Sequence, residues 1–294
     1  MNEQHDDLRR RLLAGLPVTD RTLRLGGIQT AVLAGGDGVP MVLLHGSGEF
    51  AAIWARVIPE LAAQYLVVAA DLPGHGGSAL AGSQLDVDSV LGWLGELLEQ
   101  TCPAPAVLVG HGLGGAIAAR FTAGRPDRVR QLVLVDALGL APLAPAASFQ
   151  QALEGFLGQP TEQTRDAMFR QCFVDLDRLR NRMGARWEPL AAYALDRGRT
   201  PDQQSALGTM MPGFGVPAIP ADTLARIAVP TALIWGRQDL LAPLSTAELA
   251  SDRHGWPLYV VDDCGDDPAL EQPEAFLDAL RAALAAGSRE GADA

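Results

Sequence analysis

The stretch that most constrains this chain is Val107-Leu108-Val109-Gly110-His111-Gly112-Leu113-Gly114-Gly115. Residues 106–109 form an unbroken apolar run, the pattern of a strand buried on both faces. Glycine then occupies positions 110, 112, 114 and 115. Residues 115–121 read as a helix whose near face carries small side chains. Glycine at this density suits a chain that turns sharply and then packs helix backbone close to strand backbone. Such a unit belongs in a layered α/β fold.

The rest of the chain agrees. Read in order, residues 7–16 predict an amphipathic helix with Leu8, Leu12 and Leu13 on one side. Residues 21–33 alternate around Gly26-Gly27, as a β-hairpin would. Buried strands are predicted at 40–44, 66–70, 131–135, 231–236 and 257–261. Amphipathic helices are predicted at 86–99 and 273–284, with the chain fraying from Gly287. Strands alternating with helices predict a doubly wound, mainly parallel sheet, with ligands at the carboxyl ends of the strands. From 139 to 222 no buried strand is evident. Helical segments there alternate with proline-rich breaks and mix arginines with Met168, Phe169, Phe173 and Trp187. The expected organisation is a core over 1–138, a helical cap over 139–222, and the remaining core over 223–294.

Composition bounds the function. The 294 residues are 48% hydrophobic, enough for one large α/β domain or two small ones. The net charge of −12 argues against nucleic acid and anionic membrane as partners. All 23 basic residues are arginine, so no lysine is available for Schiff-base chemistry. Cys102, Cys172 and Cys264 are odd in number and widely spaced, which signals neither a disulfide framework nor a zinc site. The polar start is not followed by an apolar leader, and no run approaches membrane-spanning length. A cytoplasmic, soluble protein is expected, with a small molecule as its partner, no metal or cofactor, and a homodimer left open.

Five motifs in order carry a family resemblance. His45-Gly46-Ser47-Gly48 with Trp54 is similar to an oxyanion loop. Asp71-Leu72-Pro73-Gly74-His75-Gly76-Gly77-Ser78 resembles a D-x-x-G-x-G-x-S loop. Residues 110–114 resemble the G-x-S-x-G nucleophile elbow, and residues 236–243 a G-x-x-D-x-x-x-P acid motif. Residues 265–276 resemble a G-H-x-x-x-x-E-x-P-E-x-F ending. Together they resemble the α/β-hydrolases over nearly the whole chain, the cap being a variable insertion. Two departures matter. The nucleophile position holds Gly112 and the histidine position holds Asp266; only the acid, Asp239, matches. Acyl-enzyme catalysis by serine and histidine is therefore expected to be absent.

What remains defines the candidates. Gly112 accepts the strained elbow conformation without penalty and leaves a small void. The resemblance assigns the oxyanion donors to the backbone N–H groups of Ser47 and Leu113, which survive the loss of serine. Asp239 and Asp266 would meet where an acid and an imidazole normally bond, and two such carboxyls resist ionising together. Glu49 is a candidate base or polar anchor, or else a loop-edge glutamate in solvent. His45, Trp54, His111, Phe169, Trp187 and Met210 are candidate substrate contacts. For His45 and His111 a bracing role competes, and for the cap residues a place in the cap's own core. Asp136, at a strand's end, is a secondary acid candidate.

Three functions follow. The first is a cofactor-free enzyme on an apolar small molecule, non-hydrolytic (a cyclase, lyase or isomerase), of a kind that serves specialised biosynthesis. The second is a small-molecule binding protein or receptor without catalysis. The third is a hydrolase in which a carboxylate activates water.

Overall fold

The computed structural model describes residues 3–80 and 85–290. Eight strands form one sheet in the order β1-β2-β4-β3-β5-β6-β7-β8. They are β1 (Thr19–Leu25), β2 (Ile28–Gly35), β3 (Val39–Leu44), β4 (Tyr65–Ala70), β5 (Ala106–His111), β6 (Val129–Val135), β7 (Thr231–Gly236) and β8 (Leu258–Val261). The hairpin β1–β2 and the β2–β4 pair are antiparallel. From β4 through β3, β5, β6 and β7 to β8 every pair is parallel.

Side chains of adjacent strand residues point to opposite faces, so each apolar run feeds two cores. On β5, Leu108 joins Leu132, Trp93 and Ile117 on one face of the sheet. Val107 and Val109 join Val133, Trp54 and Phe276 on the other. Every residue of β5 is buried, as a continuous apolar run requires. The elbow helix, Gly112–Gly124, lies so close to the sheet that a Cβ on Gly114 would sit 2.6 Å from the His45 carbonyl oxygen.

Between β6 and β7 the chain is helical. Its longer segments are Ala147–Gly158, Glu162–Cys172, Leu176–Met183, Trp187–Gly198 and Pro201–Met210. No strand occurs there among the described residues.

Two ends differ from expectation. The first helix is Glu3–Leu13, earlier than predicted, and Gly15 at φ 76° follows its end. The last helix, Pro273–Glu290, does not fray at Gly287. Buried Gln131 on β6 donates to the Ala283 carbonyl at 2.8 Å and holds the last turns down. Residues 291–294 lie outside the described residues.

The first helix is pinned from below. Arg9 donates to Asp71 Oδ2 at 2.7 Å and forks onto Asp20 at 2.7 and 2.9 Å. Asp71, fully buried after β4, also accepts the Ala51 and Gly77 N–H groups. One carboxylate thus ties three segments together beside the loop that follows β3.

Candidate active site

The site stands at the carboxyl ends of β3, β5, β6, β7 and β8. Gly112 opens the elbow helix at φ 49°, the left-handed region that favours glycine. A Cβ there would lie 3.3 Å from Gly46 Cα and 4.0 Å from the Ser47 nitrogen. The missing side chain therefore leaves a small space facing the loop after β3. Gly114 N–H is committed to the His45 carbonyl at 3.1 Å. The N–H groups of Ser47 and Leu113 have no acceptor among the described residues. Both are uncommitted within the described protein.

His111, the last residue of β5, is at the centre of the polar network. Its Nε2–H donates to the Asp266 carbonyl at 2.7 Å, and its Nδ1 faces Glu49 Oε2 at 3.1 Å. Asp266 Oδ1 lies 3.6 Å from Nε2. Burial disfavours the imidazolium, but Glu49 and Asp266 outweigh it and raise the pKa well above its usual value. His111 is a fixed cation with both ring nitrogens occupied. With both ring nitrogens engaged by the protein, the bracing role is the one its geometry favours.

Glu49 is not a solvated loop-edge group. Its Oε2 accepts the Gly46 N–H at 2.6 Å as well as facing His111. Burial would raise its pKa, yet the His111 cation brings it below the usual carboxylate range. Glu49 is thus an ionised anchor rather than a free base. His45 is likewise a brace. Leu72 N–H donates to its Nε2 at 2.9 Å, so Nδ1–H donates to the Gly46 carbonyl at 2.8 Å.

Asp239 and Asp266 are both buried. Asp239 Oδ1 accepts the Leu241 and Ala242 N–H groups at 2.7 and 3.1 Å, while its Oδ2 has no partner. Burial first, and then the Asp266 carboxylate, push the Asp239 pKa well up, so it holds a proton. Asp266 Oδ1 is buried without a hydrogen bond. Asp267, next in sequence, is also buried and pushed up, first by burial and then by Glu49. Its Oδ1 caps Leu270 at 3.1 Å.

Several expected substrate contacts belong to the core. Trp54 is 1% exposed, edge-on to His111 at 6.4 Å and tilted against Phe276 at 5.9 Å. Met210 is 0% exposed, in the same core as Leu113 and Phe214. Neither lines a space that water could enter. Phe169 and Trp187 pack on each other at 5.9 Å, under Arg165 and Arg180 respectively, within the helical segment. That segment reaches the site through Gln203, whose Nε2 donates to the Gly48 carbonyl at 2.8 Å. A cavity of about 270 Å³ lies elsewhere, between helices Val87–Thr101 and Gly112–Gly124, lined by Leu91, Gly95, Arg120 and Phe121.

Glu49, His111 and Asp266 offer donor atoms within 4.8 Å of one another. A metal ion at Nε2 would have to displace the Asp266 carbonyl, and one at Nδ1 would have to displace the Glu49 contact. The cluster fits an ion-pair network better than a ligand set.

The Glu49–His111 pair has no signal in the sequence, where the two residues stand 62 positions apart. Glu271 is a further site residue, its two oxygens accepting Gly265 N–H at 2.7 Å and Val174 N–H at 2.9 Å. Its place in the terminal motif was the available signal.

Residues 39–273 match the alpha/beta hydrolase fold family. The pimeloyl-[acyl-carrier protein] methyl ester esterase of Chromobacterium violaceum is 31% identical over 253 residues, covering 83% of this chain and 94% of that protein. The enzyme of the same name from Aeromonas hydrophila is 29% identical over 266 residues, covering 83% and 95%. Among solved structures, a 2-hydroxy-6-oxo-6-phenylhexa-2,4-dienoate hydrolase from Rhodococcus superposes with a TM-score of 0.80 at 25% identity, covering 91% and 98%. These names are those of hydrolases. They favour the hydrolase expectation over a cyclase or lyase. Among the described residues no helix is long and apolar enough to cross a membrane.

Proposed function

Because the chain belongs to the alpha/beta hydrolase fold family, we propose that it hydrolyses a small carboxylic ester with water, activated by Asp266, in place of the serine nucleophile. The observation that supports this most is a pairing of features. Gly112 leaves space in front of two uncommitted oxyanion donors, and a buried carboxylate with a free oxygen takes the place of the imidazole.

The water occupies the space at Gly112. Asp266 takes one of its protons as the oxygen bonds to the ester carbonyl carbon. The carbonyl oxygen becomes an oxyanion and accepts the N–H groups of Ser47 and Leu113. Collapse re-forms the C=O bond and breaks the bond to the leaving oxygen. Asp239, which holds a proton, gives it to that oxygen. The proton on Asp266 then passes to Asp239, and the site is restored. Acid and alcohol leave, with one water consumed. The His111 cation, 3.6 Å from Asp266 Oδ1, fixes the base without competing for the proton. Asp239, which burial keeps protonated, serves as the acid and Asp266 as the base, so the two carboxyls divide the roles as in other paired-carboxyl sites.

The test is hydrolysis of p-nitrophenyl esters from acetate to octanoate, with and without a fluorophosphonate serine probe. Turnover that ignores the probe and falls at least 10²-fold in both Asp266→Asn and Asp239→Asn is expected. Turnover unchanged in both variants, or saturable ester binding without turnover, would overturn the reading.

A further inference from the structure

Asp136 is an outlier with no role in the reaction just described. It follows β6, is fully buried, and adopts φ 42°. A left-handed aspartate is strained and persists where surrounding structure requires it. The requirement is visible in its neighbours. Asp136 N–H donates to Ile234 O on β7 at 3.1 Å, and two residues later Leu138 N–H donates to Gly112 O at 3.0 Å. The left-handed turn therefore carries the chain from the end of β6, where it is still paired to β7, over to the start of the elbow helix.

The side chain continues the link. Asp136 Oδ1 accepts the Gly236 N–H at 2.8 Å. Gly236 ends β7, and its carbonyl accepts the Asp239 N–H at 3.4 Å. Gly236 is also the point where the acid loop meets the Asp266 loop: a Cβ on it would lie 1.8 Å from the Gly265 carbonyl oxygen. Gln238 seals that contact, its N–H donating to Cys264 O at 2.9 Å and its side-chain oxygen accepting Cys264 N–H at 3.1 Å.

We propose that Asp136 is the positioning residue of the site, registering the Asp239 turn and the Asp266 loop against the elbow by holding Gly236. This deepens the hydrolase reading and rests on it for its catalytic consequence, but not for its structural one. Asp136 acts through Gly236 and touches no reacting atom. Burial, then the nearby Asp239, push its carboxyl pKa well up, so the group that holds Gly236 is uncharged. Asparagine reproduces both the acceptor and the neutrality, and it tolerates the left-handed region. Glycine removes the acceptor and relieves the backbone.

The experiment compares Asp136→Asn with Asp136→Gly. Three readouts are taken: ester kinetics, hydrogen exchange of the Gly236 amide, and the Asp239 carboxyl carbon resonance. Asp136→Asn is expected to stay within about threefold of the parent kcat, with the Gly236 amide protected. Asp136→Gly is expected to lose about 10²-fold in kcat at unchanged KM, the scale of a small misplacement at a reacting centre. Its Gly236 amide should exchange freely and its Asp239 resonance should move. Full kcat, a protected Gly236 amide, or an unmoved Asp239 resonance in Asp136→Gly would overturn the proposal. If the parent hydrolyses no ester, the amide and carboxyl signals still decide the positioning role. The hydrolase reading then fails by itself.

Discussion

His111 Nδ1 stands 3.1 Å from Glu49 Oε2, and this contact makes the histidine beside the elbow a cation rather than a base. Removing one partner of this part-buried pair leaves a buried polar group less well satisfied, at a cost of about 1–3 kcal/mol. Glu49→Gln should lower stability by that amount near neutral pH and drop the His111 midpoint, since burial then acts with less opposition. The sign with pH follows from the two shifts. The His111 share is complete below its ordinary value of 6.5 and is lost as pH rises through its raised folded value. The Glu49 share is present above 4.5 and is lost as pH falls through its lowered folded value. Urea unfolding of both proteins from pH 4 to pH 9 checks this. Parallel curves across that range would rule the pair out as a stabilising element.

Gly112→Ser puts a side chain at φ 49° with its Cβ 3.3 Å from Gly46 Cα. The left-handed strain and the close contact should cost about 1–2 kcal/mol. No serine esterase should appear, because His111 has no free ring nitrogen and Asp266 is not an imidazole. Gly112→Ser with Asp266→His should regain labelling by a fluorophosphonate, with Asp239 orienting the new histidine. Labelling of the single variant would mean that another base reaches the elbow.

Much of this was legible in the sequence, and the reason is local. The glycines after β5 are forced by backbone contacts such as Gly114 against His45, so the elbow is legible with glycine at position 112. The strands β3 to β8 announce themselves as short apolar runs between turn residues, and β1 and β2 as an alternating hairpin around Gly26-Gly27. Burial of charge was not legible. Nothing near Glu49 in sequence indicates His111, 62 residues away, and nothing in the acidic stretch 262–267 shows which aspartates turn inward. The fold separates them. Asp262 pairs with Arg237 at the surface, while Asp266 and Asp267 turn inward. The aromatic cap residues misled for the opposite reason. Apolar character at Phe169 and Trp187 is equally what a pocket wall or a cap core needs, and only packing distinguishes them.

Glu271 gives the protein a pH-dependent stability of its own. Burial raises its pKa from 4.5 to about 7, against the Val174 and Gly265 amides that favour its anion. The folded state therefore binds a proton that the unfolded state has released. Stability from this group falls as pH rises from 4.5 to about 7 and is flat above. Glu271→Gln should remove that slope. It should also cost about 1–3 kcal/mol, because an amide NH₂ must face one of the two backbone donors. Calorimetric melting of both proteins at pH 5, 6, 7 and 8 separates the slope from the offset. An unchanged slope in the variant would assign it to another group.

Arg9 is the last test, because it joins the first helix to the loop beside the site. Its Nη1 donates to Asp71 at 2.7 Å and to Tyr193 Oη at 3.2 Å. Its Nε and Nη2 fork onto Asp20. Arg9→Met leaves the buried Asp71 carboxylate without its cation and should cost about 3–5 kcal/mol. Arg9→Lys restores the charge but not the fork. A single ammonium on a flexible stem does not span the same acceptors, so rescue should be partial. Asp71 sets the acid limit: its share is present above 3.8 and is lost as pH falls through its lowered folded value. Arg9→Met should therefore shift acid unfolding to higher pH, followed by tryptophan fluorescence. Full rescue by lysine would reduce the interaction to simple charge. No change in either variant would mean that the helix contributes nothing through Asp71.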